Sequence, residues 1–249
     1  MQGFAPRATT GLLLALTLGG AAAQDAPAAI KRAFELPPSA DLQYTLQARQ
    51  RGFSLKGEAV VNWRAGGGRY SVNAESRLPI LGTITADRSS GTVDGFGLAP
   101  GEFVEKRLRK DPTTTTFDRD AKTLRFSEGK QVYPLKGGEQ DRASITWQLA
   151  AVARAAGERF KPGSEWPFFV AGRRDAETWV FKVVKREKVR TGLGEVEAVL
   201  VARQPVADKK DQTLEIWLAP RHEWYPVKLR YADGDKERVE QTLDTVTQR

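Results

Sequence analysis

From Asp41 onward the chain alternates apolar and polar side chains in runs of strand length, and one stretch departs from that period. Leu42, Tyr44, Leu46 and Ala48 interleave with Gln43, Thr45, Gln47 and Arg49. Phe53, Leu55, Gly57, Ala59, Val61 and Trp63 do the same against Ser54, Lys56, Glu58, Asn62 and Arg64. A period of two marks a strand with one dry face and one wet face. Gly66, Gly67 and Gly68 turn the second run into Tyr70, Val72 and Ala74, and the three segments read as a meander, because antiparallel strands accept short turns whereas parallel ones need a long crossover. Similar short runs recur at 80–93, 103–109, 113–119, 123–127, 131–135, 165–170, 177–189, 195–203, 213–218, 227–231 and 238–245. About a dozen strands are expected in all.

The exception is residues 141–157, DRASITWQLAAVARAAG. Ile145, Leu149, Val152 and Ala156 fall on one stripe of a 3.6-residue helix, with Arg154 opposite and Gln148 at the border. Asp141 is placed to cap the first free N–H groups, and Gly157 to end the helix in a left-handed conformation. A helix of this length is a rod of roughly 25 Å. It is too short to cover a flat sheet of so many strands. The sheet must curl, and the expected fold is mainly β: a curled antiparallel sheet or partly open barrel with one helix against it or inside its mouth. A two-sheet sandwich is the alternative. An outer-membrane barrel is disfavoured, because Lys56, Glu58, Lys182, Lys228 and Arg230 would then face lipid.

The first residues differ in kind. Arg7 supplies positive charge, GLLLALTL at 11–18 is a short apolar core, and Ala21, Ala22 and Ala23 give a small-residue cleavage pattern. Residues 1–23 are read as a secretory signal peptide, 24–40, with Pro27, Pro37 and Pro38, as a flexible lead-in, and 41–247 as a single β domain. The expected location is the periplasm, with the extracellular space as the other destination. Cysteine is absent, so neither a disulfide nor lipid attachment at a cysteine is available. The formal charge of +8 falls to +7 once Arg7 leaves with the signal, which in an exported chain points to anionic lipid headgroups or acidic envelope polymers, or to solubility alone, and not to nucleic acid. Beyond the signal no apolar run approaches the roughly 20 residues of a spanning helix.

Three pieces carry a family resemblance: the meander DLQYTLQARQRGFSLKGEAVVNWRAGGGRYSVNAES, the helix entry GGEQDRASITWQLAAV, and GLGEVEAVLV paired with LEIWLAPRHEWYPVKLRYADGD. In order and spacing they resemble the DUF3108 family of exported bacterial proteins, in the branch with a Gln-Asp-Arg-x-Ser helix start. The resemblance implies a fold and no activity. A curled sheet around a helix is also similar, as fold analogy alone, to periplasmic lipoprotein carriers and their outer-membrane receptors, whose concave apolar face takes up acyl chains.

No catalytic constellation is legible. The single histidine, His222, lies in the turn PRHEWYP beside Glu223 and lacks a nucleophile or metal-ligand set around it. Acidic residues cluster in turns or on wet strand positions, and no phosphate-binding glycine motif is present. Neither a cofactor nor a metal is expected. Arg142 is the charge of most interest: beside Asp141 it forms a cap and edge ion pair, or at the mouth of the sheet its fork holds a carboxylate or phosphate. The basic run KVVKREKVR at 182–190 reads as the wet edge of a long hairpin.

Trp63 belongs to the dry phase of its strand, Trp179 shares a face with Phe181 and Val183, and Trp217 is opposite in phase to Leu214, Ile216 and Leu218. These rings fill the core or line an apolar cavity. The functional expectation is a non-enzymatic envelope protein that takes a lipophilic or amphipathic envelope molecule, a lipid or acyl chain or else an anionic envelope component, into its concave face through Trp63, Arg142, Ile145, Leu149, Trp179, Phe181 and Trp217. The rival is a scaffold or protein-interaction domain with a filled core. Neither oligomeric state nor ligand identity follows from the sequence.

Overall fold

The computed structural model describes residues 28–50, 52–205, 212–234 and 237–249, so the expected signal peptide lies outside the described residues. Before the helix come β1 (Ala40–Gln50), β2 (Phe53–Gly66), β3 (Arg69–Leu78), β4 (Gly82–Asp94), β5 (Gly97–Arg107), β6 (Thr113–Asp118), β7 (Thr123–Phe126), β8 (Tyr133–Pro134) and β9 (Gln140–Asp141). The helix α1 spans Ser144–Ala156. After it come β10 (Glu165–Ala171), β11 (Ala176–Thr191), β12 (Gly194–Arg203), β13 (Gln212–Ala219), β14 (Tyr225–Asp233) and β15 (Glu237–Gln248).

All fifteen strands belong to one sheet, ordered β8-β7-β6-β5-β4-β3-β2-β1-β15-β14-β13-β12-β11-β10-β9. Two meanders are thus joined by β1 against β15, and the two edges, β8 and β9, are consecutive in the chain. The short link between them, 135–139, can span no more than about 20 Å. Covalent connectivity alone therefore forces the edges together. Register shifts between Gln43 and Tyr44, Ser90 and Gly91, Val183 and Lys185, and Trp217 and Leu218 bend the strands as bulges do. Among the described residues one pair, β9 with β10, is parallel, and α1 with its flanking loops is the crossover between them.

The seam between the edges is stitched by side chains. Arg119 Nη1 lies 3.1 Å from Glu139 Oε2, and Thr115 Oγ1 donates to the Gly172 carbonyl at 2.9 Å. Phe103, Phe117, Leu124 and Tyr133 from one edge pack with Ala171 and Ala176 from the other.

The helix fills the centre of the curl. Instead of a single buried stripe it presents Trp147, Gln148, Ala150, Ala151 and Ala153 to the sheet as well as Ile145, Leu149, Val152 and Ala156, all buried. The alanines are what permit this, since a small side chain lets strands close in on flanks that a surface helix would give to water. Trp63 stacks on Trp147 with centroids 4.5 Å apart and planes 5° apart, and Tyr225 meets Trp147 edge-on at 6.3 Å.

Both helix ends follow sequence logic with one difference each. Asp141 Oδ1 accepts the N–H groups of Ala143 and Ser144, each at 2.8 Å, while Ser144 Oγ accepts the Asp141 N–H at 2.9 Å. This is a reciprocal cap. Gly157 ends the helix at φ 54° and ψ −126°, a positive-φ conformation outside the left-handed helical one expected, and the chain runs on into a short 3-10 turn. Asp141, however, is fully buried and makes no ion pair with Arg142; Arg142 points to Glu105 instead.

Segment 28–39, expected to be loose, is pinned over the C-terminal end of the helix. Pro37 and Pro38 carbonyls accept from Trp63 Nε1 (3.0 Å) and the Tyr225 hydroxyl (2.9 Å), Glu35 N–H donates to the Ala151 carbonyl (2.9 Å), and Arg32 donates to the Pro167 carbonyl (2.8 Å). Core tryptophan and tyrosine need acceptors for their polar atoms, and this segment provides them. One end of the curl is thereby closed.

Candidate functional site

Among the described residues the other end has no such cover. It is bounded by the β1–β2, β3–β4 and β5–β6 turns and faces the N-terminal end of α1. Toward the closed end, inward side chains such as Leu42, Tyr44, Trp63, Tyr70 and Leu98 are buried. Toward the open end, residues in the same inward phase, Ala48, Asp87, Leu229, Tyr231, Val239 and Gln241, remain partly accessible. Inward-facing yet accessible positions define a mouth.

One wall of this mouth is charged. Asp87 lies directly across from Glu105 in the β4–β5 register, two residues beyond the pair Ser89 and Phe103. The Glu105 carboxylate is buried and surrounded by three guanidiniums: Arg107 Nε at 2.7 Å, Arg173 Nε at 3.4 Å and Arg142 Nη1 at 3.9 Å. Arg173 is held in turn by Glu128, whose two oxygens each accept from Nη2 at 2.9 Å. Arg142 is held least. Its contact with Glu105 is too long for a hydrogen bond, its side chain is 37% exposed, and its Nη2 lies over Gly172, where an added Cβ would come within 2.9 Å. An alanine there would push the guanidinium aside.

Deeper in, Asp141 is reached through hydroxyls. Ser89 Oγ donates to Asp141 Oδ2 at 2.6 Å and lies 2.9 Å from the Tyr70 hydroxyl. Burial raises the Asp141 carboxyl to about 6, against the opposing pull of its hydrogen bonds from Ser89, Ser144 and Ala143. Asp87 is pushed to about 7, first by burial and then by the Glu105 charge, and its Oδ1 is buried without a hydrogen-bond partner. Ser89 is fully buried, as is Asp141, so this hydroxyl–carboxylate chain lies beneath the surface. Across the mouth, Arg203 stacks 4.6 Å over Trp179 and donates to the Gln212 carbonyl at 3.1 Å, and burial lowers its pKa.

The remaining wall is apolar. Ala48, Ile84, Leu229 and Val239 are half-buried and pack against the core cluster that contains Leu46 and Leu78. An open groove of ≈ 550 Å³ lies at the same rim, lined by Lys56, Glu58, Arg77, Leu78 and Pro79 among others.

Of the residues singled out in the sequence, only Arg142 stands in this mouth as an accessible group. Trp63, Ile145, Leu149 and Phe181 are fully buried, Trp63 against Trp147 and the other three in the cluster around the helix. Trp179 belongs to that cluster and touches the mouth only through Arg203. Trp217 lies on the opposite face of β13 from Ile216 and Leu218, donates to Glu187 Oε1 at 2.7 Å, and is flanked by Lys228 and Arg230 at 5.3 and 5.1 Å. There the β11–β12 hairpin folds back: the Gly192 N–H donates to the Leu243 carbonyl at 2.8 Å. These rings are therefore packing elements around the helix or under the hairpin. His222 sits half-buried in the turn after β13.

The sequence reading missed Asp87, Glu105, Arg107, Arg173 and Arg203. Asp87 and Glu105 occupy the inward phase of their strands, and a charge in the dry phase was the available signal; the glycines at 82, 91 and 95 hid the phase of β4. Among the described residues no group of three or more His, Cys, Asp or Glu could hold a metal ion, and no helix is long and apolar enough to cross a membrane.

Residues 43–242 match the family described as protein of unknown function (DUF3108). No curated protein matches the chain. Among solved structures the chain is similar to one described as a candidate exported protein with a YmcC-like fold from Bacteroides fragilis, at 10% identity and a TM-score of 0.32, over 88% of this chain and 100% of that one. It is similar to a candidate outer membrane lipoprotein-sorting protein domain from Vibrio parahaemolyticus, at 9% identity and a TM-score of 0.29, over 85% and 86% of the two chains. A DUF1329 family protein from Desulfovibrio piger aligns at 7% identity with a TM-score of 0.30, over 85% and 86%.

Proposed function

The chain belongs to the DUF3108 family, and from the geometry of its open end we propose that it is a non-enzymatic, exported envelope protein that holds an anionic amphipath at the mouth of the curled sheet. The single observation that carries this reading is Arg142: a partly exposed guanidinium in the mouth that makes no short hydrogen bond to Glu105, the acid it faces. A planar fork of that kind recognises carboxylate or phosphate. Half-buried Ala48, Ile84, Leu229 and Val239 offer apolar contact beside it. Because α1 occupies the centre, the acyl portion rests against this wall and does not thread into the core. The export assignment rests on the signal-like residues 1–23. The sealed position of Ser89 supports a binding role over a hydrolytic one.

Dodecyl phosphate titrated calorimetrically into delipidated protein tests the proposal. Saturable binding is expected, with about tenfold weakening in Arg142→Ala from loss of a charge-assisted contact. Absence of binding, together with a native mass spectrum free of lipid, removes it. A second reading, an interaction domain with a filled core, is favoured by the all-round burial of α1; recovery of one crosslinked envelope protein at the rim, with no amphiphile binding, would select it.

A further inference from the structure

Among the described residues, most of the exposed large apolar side chains gather at one place. Ile80 is 96% exposed and Phe53 75%, and Leu55, Leu81 and Leu108 are exposed as well. These five sit in or just beside three turns that border the mouth: β1–β2, β3–β4 and β5–β6. They are neighbours because the strands that carry them are paired in order β1 to β5. The β1–β2 hairpin also projects: its register with β3 begins at Glu58, so Phe53 to Lys56 stand beyond the end of that strand, and Pro79, Ile80 and Leu81 turn the chain at the same level.

The charge around these tips is mainly positive, with Arg77 and Arg107 paired to Glu75 and Glu105 and Glu237 lying across from Gln50 at the base of the first turn. Arg49, Lys56, Arg77, Lys106, Arg107, Arg109 and Lys110 lie in or at the base of the three turns and are exposed. In 49–56, 77–82 and 106–112 the one acidic residue is Asp111. Isolated exposed leucines need no explanation, but apolar tips within a basic ring match the chemistry of an anionic bilayer, where side chains enter the acyl boundary and cations meet phosphate. A soluble partner with an acidic rim is the competing occupant. Single tips projecting from separate hairpins present discrete side chains and not the continuous surface that a packed protein interface requires.

We propose that this rim docks the protein on the surface of an anionic lipid membrane, with Phe53, Leu55, Ile80 and Leu81 entering the interface and the surrounding lysines and arginines resting on headgroups. Docking in this way brings the mouth against the lipid. The inference shares the open end with the proposed amphipath site but stands on different residues.

Flotation of the full chain with vesicles of phosphatidylethanolamine and phosphatidylglycerol, and with vesicles of phosphatidylcholine alone, tests it. Binding is expected on the anionic vesicles and not on phosphatidylcholine. Phe53→Ser combined with Ile80→Ser should weaken it by about tenfold or more, since each tip loses its apolar burial. Lys106→Glu combined with Lys110→Glu, or raised salt, should weaken it comparably. All four positions are exposed, and unchanged circular dichroism separates lost docking from lost folding. Arg142→Ala should leave flotation unchanged while reducing dodecyl phosphate binding, so the two readings fail separately. Equal flotation on phosphatidylcholine, no flotation, or full flotation of the serine double variant overturns the proposal.

Discussion

Asp141 joins the helix start, the sheet and the mouth, and its substitutions separate capping from charge. Its carboxylate accepts two backbone N–H groups and the Ser89 hydroxyl, which itself meets Tyr70. Asp141→Ala leaves those N–H donors and a buried hydroxyl without their acceptor. Loss of the cap, which frees the two N–H groups, costs about 1 kcal/mol and the unsatisfied buried hydroxyl about 1–3 kcal/mol more, so a total of about 2–4 kcal/mol is expected. That is a large share of the roughly 5–15 kcal/mol by which a folded domain is stable. Asp141→Asn keeps one carbonyl oxygen for the two N–H groups, and its amide can donate to Ser89 Oγ. It removes the charge alone. The wild-type carboxyl is raised from 3.8 to about 6 by burial, so its contribution to stability is complete below about pH 4 and is lost as pH rises through about 6. This loss is of order 3 kcal/mol. The asparagine variant should therefore gain on the wild type steadily between about pH 4 and about pH 6.5. Urea unfolding followed by tryptophan fluorescence, repeated across that range, measures both effects. With an m-value of about 3 kcal/mol per M, the alanine variant should lose about 1 M in midpoint near pH 4, where the wild-type carboxyl is still protonated, and less than that near neutral pH. Equal losses for the asparagine and alanine variants at every pH, or an asparagine penalty that grows with pH, would refute the assignment of Asp141 as a buried cap with a costly charge.

Further outcomes follow from the same contacts. Asp87→Asn should also stabilise at neutral pH relative to acid, over a window reaching about 7, because Asp87 is raised by burial and by Glu105; urea midpoints check it. Trp63→Ala should cost about 3–5 kcal/mol through loss of its stack on Trp147, and should free the segment it anchors at Pro37, seen as faster tryptic cleavage after Lys31 and Arg32. Gly172→Ala places a methyl against the Arg142 guanidinium and should lower dodecyl phosphate affinity, with a stability change below about 1 kcal/mol because a flexible side chain can move aside.

Much of the architecture was legible because it depends on counting. Alternation at Leu42 to Ala48 and Phe53 to Trp63 places strands without reference to partners, and one helix against so many strands requires a curl. Asp141 and Gly157 mark the helix ends through local chemistry, which sequence records directly. What escaped was long-range. Two-residue β9 has no periodicity to detect, and its parallel pairing with β10 exists only because α1 returns the chain across the sheet. The single stripe of Ile145, Leu149, Val152 and Ala156 understated burial, since Ala150, Ala151 and Ala153 are silent in a hydrophobic pattern yet are what allows the helix to be enclosed. Pro37 and Pro38 look like a linker until Trp63 and Tyr225 require their carbonyls. Arg142 was legible as a charge of interest because it sits one residue from a cap. Glu105 and Asp87 were not, because their significance lies in facing each other and three arginines across strands.

Hydrogen exchange of the wild-type protein with and without dodecyl phosphate tests most directly whether the helix fills the curl and leaves the mouth for binding. Protection should increase in the strand ends around the mouth, near 46–49, 84–88 and 229–233, while the amides of α1 exchange at the same slow rate in both states. Faster exchange along 147–153 on adding the amphiphile, with the mouth unchanged, would mean that the ligand displaces the helix and that the centre is the binding site after all.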